Sequence, residues 1–397
     1  MSKPLIIEID FLLLTPAFLG DAGMMAALRP QSFKGLLRHW HRAIDSTLGG
    51  SDREREDRIW GGSEKGFGQS KVLLRIQSKN EPAKWKYNKN KFKEFDIKKD
   101  EDKFPFNGIT YLGYPFDIRD DNKKRDALEP FTQFTLQGVI PAASNLKEGE
   151  IQAIIASFWL LAVLGSCGSR SRRGFGSLQP TGWRLQNDKP HPEWQKNFQF
   201  LPKPGQANIF KAWQEALANS LKLFREWFGP FPENIAHNHI GKNFRALILP
   251  GKTRWEEAMA YGGEKMQRFR RTYQPDYNNV KNFIKDPNNY HIAPEKTTFG
   301  LPLYFCFKNG EAIYYPVRPT SNADIPKRFT SMLYLKIIRL GMRYHPVYFL
   351  IDGMEPALDL DIRVELQTKQ YDTKSPEKSA MQLFFAELIE ENKEERR

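Results

Sequence analysis

Hydrophobic and polar positions alternate from the first residues of the chain. Leu5, Ile7, Ile9, Phe11 and Leu13 fall on one side, and Glu8 and Asp10 interrupt the other, so 5–14 predicts a half-buried strand. The period then changes. Apolar residues at Phe33, Leu36, Leu37, Trp40, Ile44 and Leu48 form one stripe at helical spacing, with Ser32 as the expected N-cap and Gly49-Gly50 as the stop. Val72 to Ile76, Ile109 to Phe116 and Phe134 to Ile140 read as strands. Gly149 to Leu164 is apolar almost all round and predicts a buried helix, followed by a glycine-rich turn and a strand over Ser177 to Leu185. Strand, helix, two or more strands, helix, strand is the split βαβ pattern.

Pro190 to Gly205 reads as a connection, and Ile209 to Phe228 as an amphipathic helix ended by Gly229-Pro230. Beyond it lie strands at Ala246 to Leu249, Leu301 to Cys306, Ala312 to Val317, Met332 to Arg339 and Val347 to Ile351. Weaker helices fall at Trp255 to Met266 and Met381 to Glu391, and the tail from Glu387 is a solvated charge run. A second, degraded copy of the first pattern fits these elements. The expected class is therefore α+β: two tandem ferredoxin-like (RRM-like, βαββαβ) domains with insertions, over 1–189 and 190–397. RRM domains carry RNA on an open sheet face, but fold alone does not assign function.

Charge adds a partner class. The 397 residues carry 60 Lys plus Arg against 47 Asp plus Glu, a net +13, which favours a polyanion, most often nucleic acid. Two cysteines, Cys167 and Cys306, exclude a disulfide framework or a four-cysteine zinc site. The first fourteen residues lack a signal-peptide pattern and no apolar run reaches eighteen, so the expectation is a cytoplasmic protein without a membrane partner.

Two constellations place that charge. On the first helix, Lys34, Arg38, His41, Arg42 and Asp45 share the face opposite the apolar stripe; this is either an electropositive ridge or the solvated side of an amphipathic helix. Gly165 to Gly176 reads Gly-Ser-Cys-Gly-Ser-Arg-Ser-Arg-Arg-Gly-Phe-Gly. Its glycines admit unusual backbone and close approach of a ligand, and Arg170, Arg172 and Arg173 offer planar donors to phosphate. Phe175 either stacks on a base or packs inward. The loop is neither a Walker loop nor a dinucleotide fingerprint; the alternative is a helix cap with incidental arginines.

Further along, Arg268, Arg270 and Arg271 interleave with Phe269 and Tyr273, the mix that holds single strands. The lysine-rich stretch at about 80–103, with Trp85, Tyr87, Phe92 and Phe95, has similar chemistry and reads as an exposed hairpin or loop. His237-Asn238-His239 spells the letters of a nuclease motif without its hairpin spacing. Asp359 and Asp361 lack a third ligand, so no metal site and no cofactor is expected.

Together, Arg29-Pro-Gln-Ser-Phe-Lys-Gly-Leu-Leu-Arg38, Trp60-Gly-Gly-Ser-Glu64 and Ser171-Arg-Arg-Gly-Phe-Gly176 resemble the RAMP superfamily of CRISPR proteins, most closely the Cmr-one subunit family of the type III-B effector complex. Arg328-Phe-Thr-Ser-Met-Leu-Tyr-Leu-Lys336 is similar to that family's motif in the second half. The middle, 186–275, carries little of the likeness, and the basic insert departs from it.

The resemblance implies a non-catalytic RNA-binding subunit at the head of a filament, near the 3′ part of the guide RNA. Its partners would be CRISPR guide RNA, target RNA and other RAMP subunits. The candidate RNA-binding residues, read from the first helix, the glycine-rich loop and the 268–273 cluster, are Lys34, Arg38, His41, Arg42, Arg170, Arg172, Arg173, Gly174, Phe175, Gly176, Arg268, Arg270 and Arg271. Two alternatives stay open. One is a metal-independent endoribonuclease using His39 or His41 as general acid/base; the other is a purely structural assembly subunit.

Overall fold

A computed structural model describes residues 3–20, 23, 25–48, 53–62, 66, 68–78, 80–98, 105–117, 124–186, 209–232, 235, 237–288, 292–307, 310–316, 329–353, 362–366 and 369–394. Gly49-Gly50, the 190–205 connection, Arg328, Asp359 and Asp361 lie outside these residues.

Strand β1 (Leu5–Leu13) buries every odd residue, as the alternation predicts. Helix α1 runs Pro30–Ile44. It starts two residues before the expected cap, because Pro30 at the first helical position needs no amide partner and has φ preset for a helix. Arg29 is the capping position, and Ser32 lies inside the first turn. Asp45, rather than the glycine pair, ends the helix, its amide bonding the His41 carbonyl. Next come α2 (Arg53–Trp60), β2 (Leu73–Gln77) and β3 (Lys84–Lys86). Then α3 (Gly108–Gly113), β4 (Asp126–Leu128), β5 (Gln133–Ile140), α4 (Glu148–Val163) and β6 (Leu178–Gln186) complete the first half.

The main sheet has the order β2-β5-β1-β6 with every pairing antiparallel. Counting only the strands of the split βαβ unit, that is the order 2-3-1-4, the ferredoxin-like arrangement. Ile7, Ile9 and Phe11 of β1 bury against Phe33, Leu37 and Trp40 of α1 and the largely apolar α4. The opposite face of the sheet is polar. Arg184 bridges Glu8 and Asp10, and Gln137 and Thr135 bond the same two carboxylates. That face offers no row of exposed rings, so it lacks the stacking platform of an RRM.

Two sequence expectations change here. Residues 109–116 form α3 and a 3-10 turn rather than a strand, started by the Asn107 side chain accepting from the Thr110 amide. Gly108 and Gly263 let α3 touch a later helix backbone to backbone; a Cβ on Gly108 would lie 2.0 Å from the Ala260 carbonyl oxygen. The lysine-rich insert is not an exposed loop of free aromatics. β3 pairs with β4, Tyr87 and Phe92 are buried, and Trp85 and Phe95 pack against the same core while the lysines point out.

In the second half, α5 (Ile209–Phe228) packs on α4 through Trp159 and Phe224, whose rings lie 5.5 Å apart. β7 (Arg245–Ile248), α6 (Trp255–Thr272), α7 (Gln274–Lys285), β8 (Leu303–Phe307) and β9 (Gly310–Pro316) follow. β10 (Leu333–Leu340), β11 (Arg343–Leu350), β12 (Ile362–Leu366), β13 (Lys369–Thr373) and α8 (Ala380–Glu394) end the chain. Strands β10-β11-β7 form a three-stranded sheet. With α6 and α8 this repeats the β-α-β-β-α part of the first fold, in the matching spatial order, with no fourth strand among the described residues. The insertion between α6 and β10 builds a separate sheet, β13-β12-β9-β8, over its own small core around Val280, Phe283 and Val364. The main core is continuous across both halves.

Candidate nucleic-acid interface

The glycine-rich loop after α4 owes its shape to backbone that only glycine adopts easily. Gly168, Gly174 and Gly176 all have positive φ, and a Cβ on Gly176 would lie 1.8 Å from the Cys167 carbonyl oxygen. The Cys167 amide donates to the Gly176 carbonyl at 2.8 Å, and the Gly176 amide to Pro16 at 2.9 Å. Phe175 is fully buried, its ring 5.3 Å from Phe116 and 5.8 Å from Phe18. Of the two readings of Phe175, packing inward holds, and base stacking does not.

The loop is also stitched to the second half. The Gly174 amide donates to the Leu335 carbonyl at 2.9 Å and the Leu335 amide to the Arg172 carbonyl at 3.1 Å, a short strand-like addition along the β10 edge. Gly174 and Gly176 are thus parts of the scaffold rather than open approaches for a ligand. Arg172 belongs to the same seam: it donates to the Ser331 carbonyl and lies over the Tyr334 ring at 4.5 Å.

The remaining loop arginines, Arg170 and Arg173, are the candidates for an interface. Arg170 donates from Nε to the Leu112 carbonyl at 3.1 Å and stacks over Tyr114 at 4.9 Å. Tyr114 itself is 64% exposed. Arg173 is half-buried, and its Nη1 has no hydrogen-bond partner among the described residues. Burial, then the neighbouring cations Arg270 and Arg170, bring the Arg173 guanidinium down to about 10, against the pull of Tyr111. Burial and Arg270 lower Arg170 in the same way. No carboxylate is among the groups that shift either one. Guanidinium groups from two distant parts of the chain thus lie near enough to disfavour one another's charge, an arrangement suited to an anion.

Arg270 comes from the last turn of α6 and lies 5.4 Å from the Phe299 ring. Its neighbours in the sequence motif behave differently. Arg268 is paired with Glu264, Nε to Oε1 2.6 Å, and covers Phe106 at 4.5 Å. Arg271 is exposed and covers the other reach of Phe106 at 4.2 Å. Phe269 is buried against Phe299 and Phe384, and Tyr273 stacks on Phe269 while its hydroxyl bonds Glu295. Of the cations of this segment only Arg271 is exposed, and the segment's rings serve the core.

The α1 ridge is largely neutralised by α2, an element the apolar pattern gave no reason to draw. Buried Glu56 and nearby Asp57 take the Arg38 guanidinium, the Asp57 contact at 2.5 Å, and Arg42 donates to both oxygens of Glu56 at 2.9 and 3.0 Å. His41 has no exposed surface. The Trp60 indole N–H donates to its Nδ1 at 2.8 Å, which leaves the proton on Nε2, 3.3 Å from Asp45. His41 is a structural residue, beyond reach of RNA. Lys34 stays half-buried, with burial and Arg38 lowering its ammonium.

His39 sits at the interhalf seam, Nε2 3.1 Å from the Tyr334 hydroxyl. Loss of solvent, then Arg172, Arg42 and His237, bring it down to about 3, so the ring is neutral at ordinary pH. Tyr114 and Tyr111 are the interface residues that sequence reasoning missed, because 109–116 reads as a strand in which their side chains have no evident partner.

Residues 10–179 match the sequence model of the RAMP superfamily. Over that stretch the chain is similar to RAMP proteins. No curated protein matches the sequence. Among solved structures, the fold is similar to that of Cmr1 from Pyrococcus furiosus in its apo form, at 16% identity and TM-score 0.56 over 88% of each chain. A chain of the type III-B Cmr-beta complex bound to cognate target RNA aligns at 13% identity and TM-score 0.53, over 88% of this chain and 95% of that one. A chain of the same type of complex with AMPPnP and single-stranded DNA gives 13% and 0.50. At such identities the likeness is one of fold. It extends past the matched stretch into the second half, where the glycine-rich loop of that stretch finds its partner strand.

Proposed function

We propose that the chain is a non-catalytic RNA-binding subunit of a type III-B CRISPR (Cmr) effector complex. It would hold guide or target RNA near the 3′ end of the guide, with other RAMP subunits as neighbours, in the cytoplasm. Its domains would divide at 1–189 and 190–397. The observation that carries this reading is the convergence of Arg170, Arg173 and Arg270 beside exposed Tyr114, in a chain with the Cmr1 fold. Phosphates would relieve the repulsion among the guanidinium groups, and Tyr114 would stack on a base without selecting it. Readout is then largely independent of sequence, which guide–target pairing supplies instead. Among the described residues no helix is long and apolar enough to cross a membrane, and no cluster of three or more His, Cys, Asp or Glu groups gathers to hold a metal.

The test is fluorescence anisotropy of a labelled single-stranded RNA with the full chain in EDTA, across several salt concentrations. Arg173→Glu combined with Arg270→Glu is expected to weaken binding at least tenfold. It should also flatten the slope of log K against log salt by about 0.7 per lost phosphate contact. Arg172 is left intact because it holds the seam. Unchanged affinity in the double variant overturns the reading. RNA that fragments in EDTA, and does so no longer in His39→Ala, would favour the endoribonuclease instead.

A further inference from the structure

A cleft of about 1000 Å³ opens between the end of α5, residues 229–232, 235 and 239–243, and the residues after β11. Its wall includes the half-buried Phe231 ring, set 4.4 Å from the ring of His239. Its floor is Gly241. A Cβ built there would lie 3.0 Å from both His239 Nε2 and Asp352 Oδ2, so the two groups flank the glycine and side-chain bulk at 241 would crowd both.

Both groups present acceptors. His239 donates from Nδ1 to the His237 carbonyl at 3.0 Å, which leaves Nε2 as an acceptor. Asp352 Oδ2 accepts from the Gly241 and Asn243 amides at 3.0 and 3.2 Å, and Oδ1 has no donor among the described residues. Cations stand at the mouth: exposed Lys242, and Arg225, which donates to the Gly241 carbonyl at 2.9 Å. A chain of contacts leads back to the glycine-rich loop. Arg172 lies over Tyr334, Tyr334 bonds His39, and the His237 ring donates to the Arg42 carbonyl at 2.9 Å.

We propose that this cleft takes one unpaired nucleotide of the bound RNA, its base against Phe231, its phosphate toward Lys242, and its exocyclic amine donating to His239 and Asp352. At the His239 and Asp352 edge of the cleft, neighbouring acceptors receive the amine of cytosine and repel the carbonyl that uracil carries at the same position. The inference rests on the RNA-binding reading and adds to it the one place where base identity is felt.

The experiment compares oligo(C) and oligo(U) RNAs of twelve residues, binding to the full chain by anisotropy at pH 7.5. The wild-type protein is expected to bind oligo(C) about fivefold more tightly. Gly241→Ala, which crowds both groups and whose backbone is not in the left-handed region, should abolish the preference. Phe231→Ala should weaken oligo(C) about five- to tenfold, the loss of one stacked base. Arg270→Glu should weaken both RNAs and leave their ratio intact. Equal wild-type affinities, or a preference that Gly241→Ala retains, overturn the cleft while leaving the RNA-binding reading standing. Failure of both RNAs to bind overturns the two together.

Discussion

At the scale of single residues, side chains that look alike in the sequence have opposite fates. Arg268 and Arg270 lie two apart on one helix, yet Arg268 is spent on Glu264 and Arg270 faces other cations. His39 and His41 divide similarly, one at the seam and one sealed between Trp60 and Asp45. Their types were legible in the sequence; what sets Arg270 and His39 apart was not, because Arg173 and Tyr334 come from elements far away in the chain. His39 also carries a pH signature. Its folded value, about 3, lies below the 6.5 of an ordinary histidine, so between those values the unfolded chain binds a proton that the folded chain refuses. Stability is therefore full above about pH 6.5 and falls as the pH drops toward 3. Chemical denaturation at pH 7.5 and 5.5 should show that loss, and His39→Phe should shrink the difference. An equal loss in the variant would mean that His39 is protonated in the fold.

Among elements, the legible ones have a strong period. β1, α1, α4, α5 and β10 appear within a few residues of their expected limits because alternation or a helical stripe marks them. The missed ones do not. α2 is almost wholly charged, and the mixed pattern of 109–116 satisfies strand and helix templates alike. The omission of α2 mattered most for the site, since Glu56 turns a basic ridge into a packed salt-bridge network. Glu56→Ala should therefore do two things. It removes a buried acid from Arg38 and Arg42, and because both cations are partly exposed, the expected cost is about 1–3 kcal/mol in a thermal or denaturant melt. It also releases two positive charges, so RNA affinity at low salt should rise several-fold by anisotropy. Affinity that stays the same would place α1 away from the RNA path.

The whole molecule behaves as one cooperative body if the seam is as continuous as its hydrogen bonds suggest. Lys336 is fully buried in β10, yet its Nζ donates to the Ala162 and Val163 carbonyls at 3.1 and 2.9 Å, capping α4 of the other half. Ile337 and Arg339 amides add bonds to Ser177 and Gln179. Lys336→Met keeps the apolar stem and leaves two buried carbonyls without that donor, an expected loss of roughly 2–3 kcal/mol. Denaturant unfolding of the variant should keep a single transition at a lower midpoint. Two separated transitions, in variant or wild type, would show halves that fold independently. The sequence held the 328–336 segment as a likeness to a family motif, with no sign that its lysine would cross to a helix end some 170 positions earlier.

The bridge between Gly174 and Leu335 also sets an order in time. The loop that presents Arg170 and Arg173 leaves the ribosome well before the strand that fixes it, and at ordinary elongation rates about 160 residues take on the order of 8 to 30 s. Through that interval the main sheet can form, but the loop's arginines have neither the β10 edge nor Arg270 opposite them. On the RNA-binding reading, a nascent chain is thus kept from gripping passing RNA until the strand that fixes its loop has been made.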